Sequence, residues 1–334
     1  MSESTVVSRE EVRCHLCGSW SSDTVIEGPD RMFPSTEIFR FIRCNHCGLI
    51  YLDPQPTKAE LGRYYPQDYA PHSDSAGKHM PWVKRWAHRY GIRKRQQVIL
   101  AEQRTPGRLL DVGCATGTFL AAMRDVGWDV RGVELSAEVA ARARQWWGVD
   151  VYPGELAEAG FGDEYFDAVT LWDTLEHVHQ PLAVLREVWR ILKPDGMLAL
   201  RTPNVHSVNL RLFGPHWGGW DMPRHLYIFP LPTLRQMLTQ CAFEDVRAFS
   251  PAGTYADFVI SLRFLVNARV EDARWRSLCH RLIHPLLIQV ALSPYFYWAD
   301  KTVRGAHVTV VARKPPTPPS MSPDDRGRGD ETNC

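Results

Sequence analysis

The residues with the most informative spacing lie between Leu109 and Leu120, where an apolar run carries an acidic residue and leads into a glycine turn. Short apolar runs with a β-branched residue are typical of buried parallel strands. Asp111 lies within the run, and Gly113 and Gly117 follow it; glycine lets the backbone bend sharply and approach a ligand closely. A turn at the carboxyl end of a parallel strand is a usual position for a nucleotide site. The spacing differs from G-x-G-x-x-G and from G-x-x-x-x-G-K-[ST], so it does not imply a phosphate cradle.

A second predicted strand, residues 129–136, ends in a carboxylate at Glu134. Glu134 follows Asp111 by 23 positions, close to the roughly 20-residue offset at which an acidic residue meets ribose hydroxyls in doubly wound folds. Ser136 is a predicted N-cap for the alanine-rich helix that follows. The pattern therefore predicts two adjacent strands that present carboxylates to one nucleoside.

Two C-x-x-C-G motifs stand near the N-terminus, at Cys14–Gly18 and Cys44–Gly48, with 26 residues between Cys17 and Cys44. Two such pairs supply four thiolates, the usual ligand set of a closed tetrahedral zinc site. Disulfides are the alternative, but the sequence shows no signal peptide and the downstream pattern is of an intracellular type. We therefore predict one structural Zn²⁺, and its ligands are Cys14, Cys17, Cys44 and Cys47.

Composition narrows the function classes. A chain of 334 residues holds one large domain and a small one. A net charge of +1 argues against a nucleic-acid partner. No apolar run reaches the roughly 18–20 residues needed to cross a bilayer, so a cytoplasmic protein is predicted. The sequence makes no prediction of the oligomeric state.

Beyond the two strands, further segments resemble class I S-adenosylmethionine (SAM)-dependent methyltransferases. Asp173–Val178 is similar to the family's post-strand LEHV signature, and Leu192–Gly196 is similar to a turn that the family shares. Tyr51–Thr57 and Tyr64–Tyr69 resemble the connector of zinc-ribbon methyltransferases from bacterial polysaccharide and natural-product gene clusters. This resemblance implies an α/β fold: a Rossmann-like, seven-stranded doubly wound sheet with a small N-terminal zinc ribbon and a helical insertion before the last strand.

The resemblance also implies which residues bind SAM. They are Asp111, Gly113, Gly117, Glu134, Glu155 and Asp173. Glu155 follows the predicted third strand, where the family contacts adenine, often through the backbone. Asp173 would line the methionine half of the cofactor, although an acidic residue at a helix start is also favoured by the helix dipole alone.

The predicted domain boundaries follow from these segments. They are a zinc ribbon at 1–56, a connector and first helix at 57–107, a methyltransferase domain at 108–314 with a helical insertion at about 251–305, and a disordered tail at 315–334. Phe243–Phe249 and His307–Arg313 are predicted to pair antiparallel as the last two strands.

Two segments allow a second interpretation. Trp82, Trp86 and Tyr90 recur on one face of a basic helix, which covers the core or else lies on an anionic membrane or RNA. Pro285–Trp298 is almost entirely apolar, and it forms either a buried cap or an interfacial helix flanked by arginines.

The segment 203–230, after the predicted fifth strand, is the expected acceptor site. Trp217 and Trp220 beside glycines could form a platform for a sugar ring, and Arg224 suits a carboxylate or phosphate. His225 is the first candidate for a general base and His177 the second, because the pKa of imidazole lies near working pH. The alternative is that His225 only anchors the segment 203–230, which we call the lid.

The predicted function is methyl transfer from SAM to a hydroxyl of a small or lipid-linked acceptor: a sugar, a glycolipid or a related secondary metabolite. A lipid-linked acceptor would add peripheral contact with the inner face of the membrane. The alternatives are a zinc-ribbon RNA methyltransferase, a C-methyltransferase of a nucleotide-linked sugar, and a non-catalytic binding protein. Near-neutral charge and the lack of an Asn/Asp-Pro-Pro-Tyr motif oppose an RNA methyltransferase, and the connector differs from that of the sugar C-methyltransferases. An intact glycine turn opposes a non-catalytic binding protein.

Overall fold

The computed structural model describes residues 9–10, 13–33, 35–65, 82–251, 253–283 and 285–316. The predicted disordered tail from 317 onward and the middle of the connector, residues 66–81, lie outside the described residues. The same holds for the side chains of Trp82 and Trp86, so the predicted aromatic stripe is described only at Tyr90, which is exposed.

A seven-stranded sheet forms the centre of the molecule, in the order β12-β13-β10-β9-β6-β7-β8. Its strands are β6 Arg108–Val112, β7 Asp129–Glu134, β8 Asp150–Pro153, β9 Phe166–Trp172, β10 Leu192–Pro203, β12 Glu244–Phe249 and β13 His307–Arg313. β13 runs antiparallel between β10 and β12, whereas the pairs from β10 to β8 are parallel. The predicted fold class and the antiparallel final strands are confirmed.

Helices flank this sheet and follow its strands along the chain. They are α1 Lys58–Leu61, α2 Trp82–Glu102, α3 Thr118–Arg124, α4 Ala137–Trp147, α5 Pro181–Ile191, α6 Val208–Phe213, α7 Leu231–Gln240, α8 Thr254–Arg269, α9 Ala273–Leu282, α10 Pro285–Ala291 and α11 Ser293–Lys301. The predicted cap is present, because the amide of Val139 donates to the Ser136 hydroxyl oxygen at the start of α4.

A smaller sheet near the N-terminus has the order β11-β4-β3-β2. Its strands are β2 Ser22–Pro29, β3 Ile38–Cys44, β4 Ile50–Leu52 and β11 Tyr227–Ile228, and a separate pair joins β1 Arg9–Glu10 to β5 Gln55–Pro56. β11 belongs to the segment after β10, yet it pairs antiparallel with β4. One sheet therefore crosses the domain boundary predicted at residue 56.

The insertion between β12 and β13 folds as α8 to α11. The apolar run from 285 to 298 is divided between α10 and α11, and it is not a fully buried cap. Phe296 is buried, whereas Leu287 and Tyr297 are about two-thirds exposed. Within the described ranges, no helix combines the length and the apolar character that crossing a bilayer requires.

Candidate functional site

A cavity of about 860 Å³ lies at the carboxyl ends of β6, β7 and β9. Its volume falls in the range of small-molecule and cofactor sites. Asp111, Gly113, Glu134 and Asp173 line it, and they come from these three strand ends. His177 and His225 line it as well. Residues that the sequence marks as cofactor-binding and residues that it marks as catalytic therefore share one space.

The first strand end is tightly built around Gly113 and Asp111. Gly113 has φ of +73°, and a Cβ placed there would lie 2.5 Å from the Thr174 hydroxyl oxygen, so a larger residue does not fit. Asp111 is buried, and the Thr170 hydroxyl donates to its Oδ1 at 2.6 Å. Burial raises the pKa of the Asp111 carboxyl to about 7.

This pKa predicts a pH-dependent stability difference for Asp111→Asn. The folded chain retains a proton that the unfolded chain loses near pH 4, so the wild type loses stability as pH rises from about 4 to 7. Asn lacks this titration and can still accept the Thr170 hydroxyl. We expect the variant to gain about 2–3 kcal/mol relative to wild type between pH 5 and pH 8, measured by urea unfolding without SAM. A difference that is the same at both pH values would contradict a buried, titrating carboxyl.

Glu134 ends β7 and is also buried. Its two carboxylate oxygens accept from the amides of Ala115 and Ser136, each at 3.0 Å. These bonds fix the carboxylate beside the glycine turn with lone pairs left over for further donors. An acidic residue held in this position suits the two hydroxyls of a ribose.

The remaining residues predicted to bind SAM differ in their placement. Gly117 lies behind the cavity, where a Cβ would come within 3.0 Å of the Ala143 side chain, so it serves the packing of the turn against α4. Glu155 lies outside the cavity and pairs with Lys58 at 2.5 Å on the surface. The structure therefore does not bring Glu155 to the predicted adenine position.

Asp173 lines the cavity but is already paired with two cations. Its carboxylate accepts from Arg201 Nε at 2.8 and 3.0 Å and from Arg95 at 3.1 Å. Burial opposes ionisation, but the charges of Arg201, His307 and Arg95 hold the pKa of Asp173 below its ordinary value. The carboxylate is therefore a fixed anion in the cavity wall.

The end of the cavity away from Glu134 carries a pair of histidines. The rings of His177 and His225 are 4.7 Å apart, edge to face. His177 Nδ1 lies 2.9 Å from the Arg224 carbonyl and 3.0 Å from the Tyr65 hydroxyl, and His225 Nδ1 lies 2.9 Å from the Gly219 carbonyl. Burial lowers the pKa of both imidazoles, that of His177 to about 3, so both rings are neutral at physiological pH.

The acceptor-binding roles predicted for three lid residues are wrong, because their side chains are buried. Trp217 donates to Asp257 at 3.1 Å, and Trp220 packs against it with ring centroids 5.3 Å apart. Arg224 is fully buried and forms ion pairs at 2.7 Å with Asp30 and Asp221. None of the three lines the cavity.

Among the residues of the cavity wall that the sequence did not indicate are Tyr65, His88 and Arg95. Tyr65 comes from the connector, and the other two come from α2, which closes the cavity on one side. The sequence of α2 alone does not indicate that it lines a cavity, because the strand ends that it faces come later in the chain.

The four N-terminal cysteines lie together at the turns of the small sheet. All four sulfurs lie within 4.8 Å of one another. The sulfurs of Cys14 and Cys47 are 3.3 Å apart, and those of Cys17 and Cys44 are 3.5 Å apart. A tetrahedral zinc with bonds of about 2.3 Å needs sulfurs roughly 3.8 Å apart. The cluster fits such an ion and leaves no ligand position open for a substrate.

Comparison with known proteins agrees with the fold. A family model described as a methyltransferase domain matches residues 83–248. The ubiquinone biosynthesis O-methyltransferase of Actinobacillus pleuropneumoniae serotype 5b is 32% identical over 173 residues, which cover 48% of this chain and 74% of that protein. The chain belongs to the methyltransferases, and its central domain is a SAM-dependent methyltransferase domain.

Other matches are shorter or more distant. The Haemophilus ducreyi ubiquinone biosynthesis O-methyltransferase is 35% identical over 107 residues, or 29% of this chain and 45% of that one. The chain spans about half the length of several curated relatives that it matches. The solved structure of Haemonchus contortus phosphoethanolamine N-methyltransferase 2 with SAM is 18% identical, with a TM-score of 0.50 over 80% of this chain and 63% of that one. This last likeness shows the fold alone.

Proposed function

We propose that the protein transfers the methyl group of SAM to a hydroxyl oxygen of a small or lipid-linked acceptor. One observation carries the proposal: a single cavity joins the carboxylate of Glu134 at one end to the histidine pair His177 and His225 at the other. SAM would lie against Glu134 and Gly113. The acceptor would lie against the histidines, with its oxygen facing the methyl group.

Methyl transfer needs placement above all. The methyl carbon of SAM is bonded to a sulfonium, and the acceptor oxygen attacks in line with the departing sulfur. Holding both partners at near-attack distance can supply about 7–11 kcal/mol of the barrier. A hydroxyl must also lose its proton, and the neutral histidines are the groups placed to promote this, with an effect of roughly 100- to 10,000-fold.

The acceptor class is supported in different ways. Relatives named as O-methyltransferases support oxygen as the nucleophile. The proposal of a sugar or glycolipid rests on the resemblance of the ribbon and connector, because the tryptophans that suggested a sugar platform are buried. Exposed apolar side chains beside arginines support a lipid-linked acceptor and peripheral membrane contact; they are Trp275, Leu278, Leu282, Leu287 and Val290.

Labelled SAM tests the proposal directly. The protein would be incubated with methyl-labelled SAM and hydroxylated sugars, glycolipids in vesicles, or phenols, and the product would be analysed by mass spectrometry and NMR. We expect an O-methyl product, and a His225→Ala variant that binds SAM normally but turns over at least 100-fold more slowly. A C-methyl product would favour the sugar C-methyltransferase, and salt-dependent RNA binding would favour the RNA enzyme.

We also propose that the cysteine cluster holds a structural zinc. The expected stoichiometry is one zinc per chain in this cluster, and Cys44→Ser should lose this zinc and make the small sheet sensitive to protease. Cys279→Ser, in α9, is the matched control and should retain the metal. Elemental analysis and limited proteolysis measure both effects. Retention of zinc by Cys44→Ser would contradict the assignment.

A further inference from the structure

Three side chains that can bind a metal meet at the acceptor end of the cavity. Glu176, His177 and His225 each place one ligand atom within 4.8 Å of the other two. Glu176 and His177 follow β9, and His225 comes from the lid, so the fold brings together residues that are almost 50 positions apart. The two histidines line the cavity directly.

The described neighbours of Glu176 do not explain why its carboxylate is buried. Its side chain is completely buried, and neither carboxylate oxygen has a hydrogen-bond partner among the described residues. The Thr202 hydroxyl lies nearby but makes no hydrogen bond of regular geometry with it. Arg201 and Arg95, two cations of this region, are both bound to Asp173. A buried carboxylate without partners is costly, and a bound cation would remove that cost.

Both histidines have the backbone hydrogen bond that ligating histidines usually have. A carbonyl oxygen can only accept, so the contacts from His177 Nδ1 to the Arg224 carbonyl and from His225 Nδ1 to the Gly219 carbonyl, each 2.9 Å, place a proton on both Nδ1 atoms. Each Nε2 then carries a lone pair. Ligating histidines commonly donate the other ring N–H to a backbone carbonyl in this way, which fixes the tautomer and the ring.

We propose that Glu176, His177 and His225 bind a divalent transition-metal ion, of the class of Zn²⁺, Fe²⁺ or Co²⁺, which holds the oxygen of the acceptor. Two imidazoles and one carboxylate suit such ions and leave coordination positions open. The inference rests on the proposed function and specifies how the histidines act in it. The acceptor hydroxyl binds the ion, its proton passes to water, and its oxygen forms the new bond to the methyl carbon. The carbon–sulfur bond breaks, and its electron pair stays on the sulfur of S-adenosylhomocysteine.

Cobalt binding to the full-length, zinc-loaded protein tests the site without any acceptor. Wild type is expected to bind one additional Co²⁺ per chain while retaining its zinc, measured by equilibrium dialysis and elemental analysis. Visible absorption should be weak and free of a strong thiolate band. Glu176→Gln keeps the shape of the side chain and should weaken Co²⁺ binding by more than about 100-fold, since even residues behind the ligands cost 10- to 100-fold. Glu244→Gln, an exposed position on β12, is the matched control and should bind as wild type does.

SAM affinity, measured by calorimetry on the same samples, reports whether each variant is folded. If Glu176→Gln does not bind SAM, His225→Gln replaces it as the test variant. Failure of wild type to bind Co²⁺ while it binds SAM would overturn the metal site, as would unchanged Co²⁺ binding in both variants. Methylation of a hydroxyl by protein stripped of the added ion would overturn the role of the ion in holding the acceptor oxygen but leave the proposed function intact. A bound ion together with C-methyl or RNA products would support the metal site and overturn the proposed transfer to a hydroxyl.

Discussion

Replacing Arg224 with Met is expected to lower the free energy of unfolding by about 3–5 kcal/mol. The fully buried guanidinium donates to both oxygens of Asp30, at 2.7 and 2.8 Å, and to Asp221 at 2.9 Å. Both carboxylates are also buried or nearly so. Without Arg224, two negative charges would remain in a poorly solvated interior with no compensating cation. The cost of that state, rather than the strength of the ion pair itself, sets the size of the effect.

Equilibrium unfolding in urea, followed by tryptophan fluorescence with zinc present, measures this change. Arg211→Met is the matched control, because Arg211 is exposed on α6, and its effect should stay within about 0.5 kcal/mol. A loss below 1 kcal/mol for Arg224→Met would mean that Asp30 and Asp221 are hydrated or protonated. The structural role assigned to this arginine would then be wrong.

The second large effect concerns SAM. Glu134→Ala should weaken SAM binding by at least tenfold, because the carboxylate that suits the ribose hydroxyls disappears. It also holds the amides of Ala115 and Ser136, so its loss loosens the turn after β6 and the start of α4. Calorimetric titration gives the affinity. A tenfold loss corresponds to about 1.4 kcal/mol, which is within the range of a charge-assisted hydrogen bond.

Two further variants test whether the loss of SAM affinity is specific to the carboxylate of Glu134. Glu134→Gln keeps an acceptor oxygen and should bind SAM with an affinity between those of wild type and Glu134→Ala. Glu244→Ala, on the exposed edge of the sheet, should bind as wild type does. Equal affinity for wild type and Glu134→Ala would show that the ribose lies elsewhere in the cavity.

The fold and one half of the candidate site were predictable because their signals are local. A strand, a glycine turn and a strand-end carboxylate at Glu134 are read from consecutive residues, and parallel strands bring their ends to one edge. Asp111 and Gly113 therefore reach the cavity as the pattern predicts. The cysteine motifs carry their spacing in the same way, and the four sulfurs meet.

The other half depends on contacts between distant segments. The partner of Arg224 is Asp30, 194 positions earlier, so nothing near Arg224 indicates an internal ion pair rather than a ligand site. Trp217 stands beside glycines, as an exposed platform would, yet its indole N–H donates to a buried Asp257 on α8. The sequence presents Glu176 only as part of the LEHV signature, and only the structure shows that its carboxylate has no hydrogen-bond partner among the described residues.

The strand β11 has a consequence for protein engineering. Because Tyr227–Ile228 pairs with a strand of the sheet that carries the cysteine turns, and Arg224 joins the same lid to Asp30, the N-terminal module and the lid share one interior. Chimeras that exchange the ribbon alone would leave a host strand unmatched and would remove Asp30, one of the two carboxylates that pair with the buried Arg224. A recombined enzyme with new acceptor preference therefore has to inherit both segments from the same parent.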